Sequence, residues 1–156
     1  MQSHSLSDCS WRVRDVDTKT WIPAQVPGCV HTDLLRAGRI PDPFFADNEL
    51  GLQWIEEREW EYRTTFTVPA ALRKERVLEL VADGLDTIAT VTLNGRRIGR
   101  TDNMFVGHRW NVKKHLRPGK NELVIRFSSA MDYVRTQHRD LIQGELNDPK
   151  GLAPAI

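Results

Sequence analysis

Long apolar runs are missing from the chain. No window comes near the ~18 consecutive apolar residues of a membrane-spanning helix, so no such span and no membrane partner are expected. The opening stretch, residues 1–15, has neither a basic start nor an apolar run of leader length, which predicts a cytoplasmic domain. Cysteine is scarce: Cys9 and Cys29 are the two present, with no CxxC and no ligand-spaced cluster. One disulfide and two free thiols both fit, the thiols being the simpler reading in a reducing compartment. An excess of one charge sign is missing too. Lys and Arg number 22 against 21 Asp and Glu, too even for bulk attraction to nucleic acid.

Chemical motifs are equally sparse. There is no GxGxxG or GxxxxGK[ST], so no phosphate cradle and no nucleotide cofactor is expected. There is no GxSxG elbow and no papain-like cysteine motif, so no Ser or Cys nucleophile is assigned. The five histidines (His4, His31, His108, His115, His138) form no HxH or HExxH set, and no loop has a calcium pattern. No catalytic residue, metal ligand or cofactor is therefore expected in these residues.

What is present is a strand pattern. Over residues 60–68, Trp60, Tyr62, Thr64, Phe66 and Val68 share one parity while Glu61, Arg63, Thr65 and Thr67 share the other, the period of a half-buried antiparallel strand. Similar alternation marks residues 76–82, 87–93 and 121–128, the last with Leu123, Ile125 and Phe127 inward. Asn94-Gly95 is the favoured two-residue hairpin loop, which should fold 96–99 back on 90–93. Pro118-Gly119 is placed for a type II turn. Closely spaced turns without long helices predict an all-β sandwich. Val30–Arg36 reads as one short helix near the N-terminus, ended by Gly38. Residues 40–54 read as a long ordered loop, and 131–156 as a short segment of helical potential followed by a loop-like or partly ordered tail. At 156 residues the whole is expected to be a single domain, 1–156.

Two groups invite chemistry. Glu56, Glu57, Glu59 and Glu61 cluster, and glycoside hydrolysis needs two carboxyl groups ~5–10 Å apart. Glu59 and Glu61, however, take the outward parity of a strand, where a solvated face accounts for them. The five tryptophans, Trp11, Trp21, Trp54, Trp60 and Trp110, could stack against a pyranose or simply fill the core. Trp60 belongs to the core by parity, whereas Trp54, in the loop, is the better candidate for ligand contact.

Four stretches carry a family resemblance: VPGCVHTDLLRAGRIPDPFF (26–45), DNELGLQWIEEREWEYRTTF (47–66), DGLDTIATVTLNG (83–95) and GRTDNMFVGHRWNVKKHL (99–116). Together they resemble the β-mannosidases of glycoside hydrolase family 2, over nearly the whole chain. The resemblance implies a jelly-roll β-sandwich related to galactose-binding domains. In that family the sandwich is followed by an immunoglobulin-like domain and a catalytic (β/α)₈ barrel, which carries both glutamates of a retaining mechanism. Neither the barrel nor the family's Trp-Asp-Trp-Gly stretch is in these residues, so Glu56, Glu57 and Glu59 take no catalytic role. The resemblance further implies a loop at the active-site rim, matching residues 44–54 here. Asp47, Asn48 and Glu49 are its candidate sugar ligands, Asn48 first because an amide donates and accepts at once. Asp47 and Asn48 closing a turn is the plain alternative. The expected function is thus the N-terminal sugar-binding domain of a β-mannosidase acting on β-mannoside oligosaccharides. The other readings are a free-standing carbohydrate-binding module and an interaction domain.

Overall fold

Alternation from residue 60 onward places one strand, β3 (Trp60–Thr67), at the middle of the architecture. The computed structural model describes residues 2–137; the loop-like reading of 138–156 lies outside the described residues. Before β3 come β1 (Trp11–Asp15), β2 (Ile22–Ala24), helix α1 (Val30–Arg36) and a 3₁₀ segment, Asn48–Ile55. After it come a single helical turn α2 (Ala70–Arg73), then β4 (Glu79–Ala82), β5 (Ala89–Leu93), β6 (Arg96–Thr101) and β7 (His108–Asn111). A 3₁₀ turn (Lys113–His115), β8 (Lys120–Phe127) and helix α3 (Ala130–Gln137) complete the order.

Six strands form one antiparallel sheet in the order β2-β1-β3-β8-β5-β6, and β4 pairs with β7 in a second. The inward parity of the large sheet supplies Trp11, Val13, Trp60, Tyr62, Val91 and Leu123 to one core, against which Leu80 and Trp110 of the small sheet pack. This is the expected all-β sandwich. Close approach of the two sheets is visible at Gly99, where a Cβ would stand 2.4 Å from the Trp110 indole. Only glycine leaves room for that ring.

The hairpin forms as its sequence requires: Asn94 and Gly95 both take positive φ (53° and 82°), and Leu93 faces Arg96 across the loop. Helix α1 ends as expected at Gly38 (φ 64°), whose N–H donates to Leu35 O at 2.9 Å.

Several features differ from the sequence reading. β1 and β2 were not foreseen, because Trp11 and Val13 alternate with charge over too few residues to stand out. The segment of helical potential read from residue 131 is helix α3, while α2 adds a single turn that the sequence reading does not contain, so α1 is not the only helix. Strand β4 begins at Glu79 rather than 76. The bend at Pro118-Gly119 is not type II, since Gly119 is absent from the left-handed region. Asn121 closes it instead. Its Oδ1 accepts from the Arg117 N–H (2.7 Å), and its Nδ2 donates to the carbonyls of Arg117 (3.2 Å) and Gly119 (2.9 Å). A buried side chain with three bonds outweighs a local turn preference.

Candidate functional site

The platform of the site is one buried carboxylate. Along α1 the inward stripe includes Leu34 and, beside it, Asp33, which has no exposed surface. Its Oδ1 accepts from the Gln25 N–H and from Arg36 Nη1, each at 3.0 Å, and its Oδ2 from the Tyr62 hydroxyl at 3.1 Å. Arg36 Nη2 donates onward to Gln25 Oε1 at 3.0 Å. Burial first, then the Asp33 charge and hydrogen bond, push the Tyr62 phenol far above its ordinary range, so it stays a donor. The network ties the end of β2, helix α1 and β3 together. Gly28 is needed in the intervening turn, because a Cβ there would lie 2.4 Å from the Gln25 carbonyl oxygen. Sequence reasoning passed over Asp33, although a carboxylate on an apolar stripe is the signal that could have found it.

From α1 the chain enters residues 40–55, which are ordered by local bonds. Asp42 Oδ1 accepts from the Phe44 N–H (3.0 Å), while the Asp42 carbonyl accepts from the Phe45 N–H (3.2 Å) and from Asn48 Nδ2 (2.8 Å). Ala46 takes a positive φ of 53° at the apex. The segment then winds into the 3₁₀ stretch and buries Leu52 and Ile55, so this part is not the continuous loop expected. Asn48 thus closes the turn with one amide hydrogen and retains its carbonyl oxygen and second N–H. Asp47 precedes the 3₁₀ stretch without a side-chain cap bond, and its exposed carboxylate makes no hydrogen bond or ion pair among the described residues.

A small hollow of about 120 Å³ opens beside this segment, lined by His31, Pro43, Glu49, Leu52, Gln53 and Glu56. Glu49 therefore faces it, whereas Asp47, Asn48 and Trp54 do not. The Trp54 ring leans on the core ring of Trp60 (centroids 6.2 Å, 46° between planes) and keeps 38% of its surface exposed. Phe44, Phe45 and Leu50 stand largely in solvent on the same segment. The arrangement is a shallow patch with apolar faces, free carboxylates and a half-satisfied amide. Such a set accepts hydrogen bonds from hydroxyls and offers rings to C–H faces.

Of the neighbouring glutamates, Glu56 lines the hollow and the other three are held by arginines. Glu57 pairs with Arg135 (2.8 Å), Glu59 with Arg126, and Glu61 with Arg14 (3.2 Å) and Arg63 (3.4 Å). Trp11 and Trp60 are core residues whose indoles donate to Leu6 O (2.8 Å) and Ile55 O (2.9 Å). Trp21 lies against the guanidiniums of Arg14 and Arg63, each 4.8 Å from its ring centroid. Both cysteines are free. Among the described residues no group of three or more His, Cys, Asp or Glu is gathered as a metal site, and no helix is long and apolar enough to cross a membrane.

Residues 11–151 match the family model described as glycosyl hydrolase 2 galactose-binding domain-like. Beta-mannosidase B of Thermothelomyces thermophilus is 46% identical over 131 residues, covering 82% of this chain and 15% of that protein. Beta-mannosidase of Mus musculus is 38% identical over 137 residues, covering 88% of this chain and again 15% of the relative. Among solved structures, the β-D-mannosidase from Dictyoglomus thermophilum superposes with a TM-score of 0.75 at 41% identity, over 90% of this chain and 16% of that one. An exo-chitosanase from Amycolatopsis orientalis reaches 0.70 at 17% identity, over 81% of this chain and 17% of that one, a likeness of fold alone. The chain spans about 15% of the length of the curated relatives it matches.

Proposed function

The chain belongs to the glycosyl hydrolase 2 galactose-binding domain-like family, and from that membership we propose that it is the N-terminal, sugar-facing domain of a β-mannosidase. The parent enzyme removes terminal β-linked mannose from oligosaccharides by a retaining mechanism. The observation that carries this reading is the 46% identity to a β-mannosidase over most of the chain. Fold does not discriminate substrates here, since an exo-chitosanase has the same sandwich at 17% identity.

In this reading residues 1–156 are one domain, and the acid/base and nucleophile belong to a (β/α)₈ barrel elsewhere in the parent, with an immunoglobulin-like domain between. Glu57, Glu59 and Glu61 are engaged by arginines, Glu56 lines the hollow, and none of the four takes part in bond cleavage. The segment 44–54 closes one wall of the barrel's pocket. Asp47 and Glu49 accept hydrogen bonds from sugar hydroxyls, Asn48 accepts and donates with its remaining amide groups, and Trp54 offers its exposed surface to the pyranose. A wall across the pocket suits action on chain ends.

The test is a chromogenic β-mannoside assay on the 156-residue chain and on the protein from its complete reading frame. Turnover is expected from the complete protein and none from the chain alone. Turnover by the chain alone, or a complete protein inactive on β-mannosides but active on another glycoside, would refute the reading. In the complete enzyme, Asp47→Asn with Glu49→Gln should lower kcat/KM about tenfold, the loss of roughly 1.4 kcal/mol of transition-state hydrogen bonding. The melting temperature should not move, because neither carboxylate contributes a contact to the fold.

A further inference from the structure

Charge that balances along the chain does not balance in space. Strand β3 runs from Trp60, at the end beside the 44–54 segment, to Thr67, about 23 Å away at ~3.3 Å per residue. Three segments converge at that far end: LRKER (72–76), NGRR (94–97) and VKKHLRPGK (112–120). They bring nine lysines and arginines together, with Glu75 as their one acidic residue.

Hydrogen bonds hold the three segments to each other. Arg73 Nη1 donates to the Pro118 carbonyl (2.7 Å), Lys113 Nζ to the Arg73 carbonyl, and Asn94 Nδ2 to the His115 carbonyl (2.8 Å). Arg117 Nη2 donates to the Asn94 carbonyl at 3.4 Å. These bonds use three of the cations to build a platform. Arg96, Arg97, Lys114 and Lys120 are exposed upon it. No ion pair among the described residues uses a cation of these segments; the pairs fall to Arg14, Arg36, Arg58, Arg63, Arg109, Arg126 and Arg135, and Glu122, which adjoins the Asn94 turn, is taken up by Arg63. The platform's positive field reaches His115, whose pKa is lowered by partial burial and then by Arg96 and Lys114.

We propose that this pole is a binding site for compact oligoanions, molecules that carry several closely spaced sulfate or phosphate groups. Unpaired guanidinium and ammonium groups on a fixed support gain charge-assisted hydrogen bonds without breaking any in the protein. The three segments contain no Phe, Tyr or Trp, so they lack the stacking surface of a single-strand nucleic-acid site. The pole and the sugar-facing segment occupy opposite ends of β3, so this inference stands apart from the β-mannosidase reading.

The test is calorimetric titration of the chain at physiological salt with a heparin-derived hexasaccharide and, separately, with inorganic tripolyphosphate. Reversal of Arg96, Arg97 and Lys114 to Glu should weaken binding at least tenfold. The matched reversal of Arg12, Lys19 and Arg39, exposed cations away from the pole, changes net charge equally and should weaken it less than twofold. If the first variant fails to fold, Lys114→Gln with Lys120→Gln replaces it, with a threefold or greater loss expected. The His115 ring should titrate at higher pH once the anion is bound. Tighter binding of the sulfated sugar assigns the source to glycans, and tighter binding of tripolyphosphate assigns it to phosphates. No binding, equal losses in the two charge-matched variants, or tighter binding of duplex DNA than of both oligoanions would each overturn the proposal.

Discussion

Asp33 is the side chain on which the local geometry most depends. It has no solvent exposure and accepts from Gln25, Arg36 and Tyr62, so its removal leaves three donors facing a void. The half-exposed Arg36 returns to water, but the Gln25 N–H and Tyr62 hydroxyl each lose a bond to a charged acceptor, so Asp33→Ala should lower the urea stability by about 3–6 kcal/mol. Tyr62→Phe removes one hydrogen bond to that carboxylate and keeps the ring on Phe127 (5.9 Å, edge-on), so its cost should be about 1.5–3 kcal/mol. If Asp33→Ala cost no more than Tyr62→Phe, the network would not be what joins α1 to β3. At this scale the sequence was legible where a residue's neighbours along the chain decide its role. Asn94 and Gly95 needed only their own backbone angles. Asn48 was read as sugar ligand or turn closer, and one of its amide hydrogens does close the turn, through Asp42 six residues earlier. Asp33 was missed because two of its partners, Gln25 just past β2 and Tyr62 in β3, lie 8 and 29 residues distant.

Among elements, the turn between Lys113–His115 and β8 shows why punctuation residues can mislead. Pro118-Gly119 has the composition of a type II turn, yet Asn121 dictates the backbone through bonds that composition does not record. Asn121 also receives Asn94 Nδ2 at 2.8 Å, so the β5–β6 hairpin and this bend share one buried amide. Asn121→Ala should therefore destabilise the chain by about 3 kcal/mol, the desolvation of several stranded partners. Hydrogen exchange should quicken at both turns together. Quickening at the 117–119 bend alone would show that the two are not coupled. His115, on the adjoining 3₁₀ turn, gives a pH prediction. Its folded pKa lies below the ordinary value of 6.5, so the unfolded chain takes up the proton first as pH falls. The stability associated with neutral His115 is complete above about 6.5 and is lost below it. His115→Gln should flatten the decline in stability between pH 7 and pH 5, and a slope identical to that of the unaltered chain would contradict the assignment. Strands β3 and β8 are readable because eight residues of alternation outweigh noise, and the five of β5 because the Asn94-Gly95 hairpin signal follows them. Strands β1 and β2 carry no such signal: β1 is a strand because it pairs with β3, and β2 because it pairs with β1.

Over the whole molecule the two ends of the sandwich have opposite characters, which composition averages away. One end gathers unpaired cations, and the other exposes Phe44 at 97%, Phe45 at 71% and Leu50 at 70%. Three large apolar side chains standing in water on one ordered segment exceed the scattered exposure of a monomer's surface. In the proposed parent they meet the catalytic barrel, because the 44–54 segment forms its pocket wall. The 156-residue chain, deprived of that cover, should associate with itself through the same segment. Sedimentation velocity should show mass rising with concentration. Phe44→Ser with Phe45→Ser should shift the midpoint of that rise at least tenfold, since each ring removed from an interface forfeits about 1.5–3 kcal/mol of burial. In the complete enzyme the same pair should loosen the domain's hold on the barrel and lower the temperature of its first unfolding transition. A chain that stays monomeric at millimolar concentration, together with an unaltered complete enzyme, would mean that these phenylalanines face solvent in the parent as well. The pocket wall would then have to be built from the Glu49 hollow rather than from the aromatic apex.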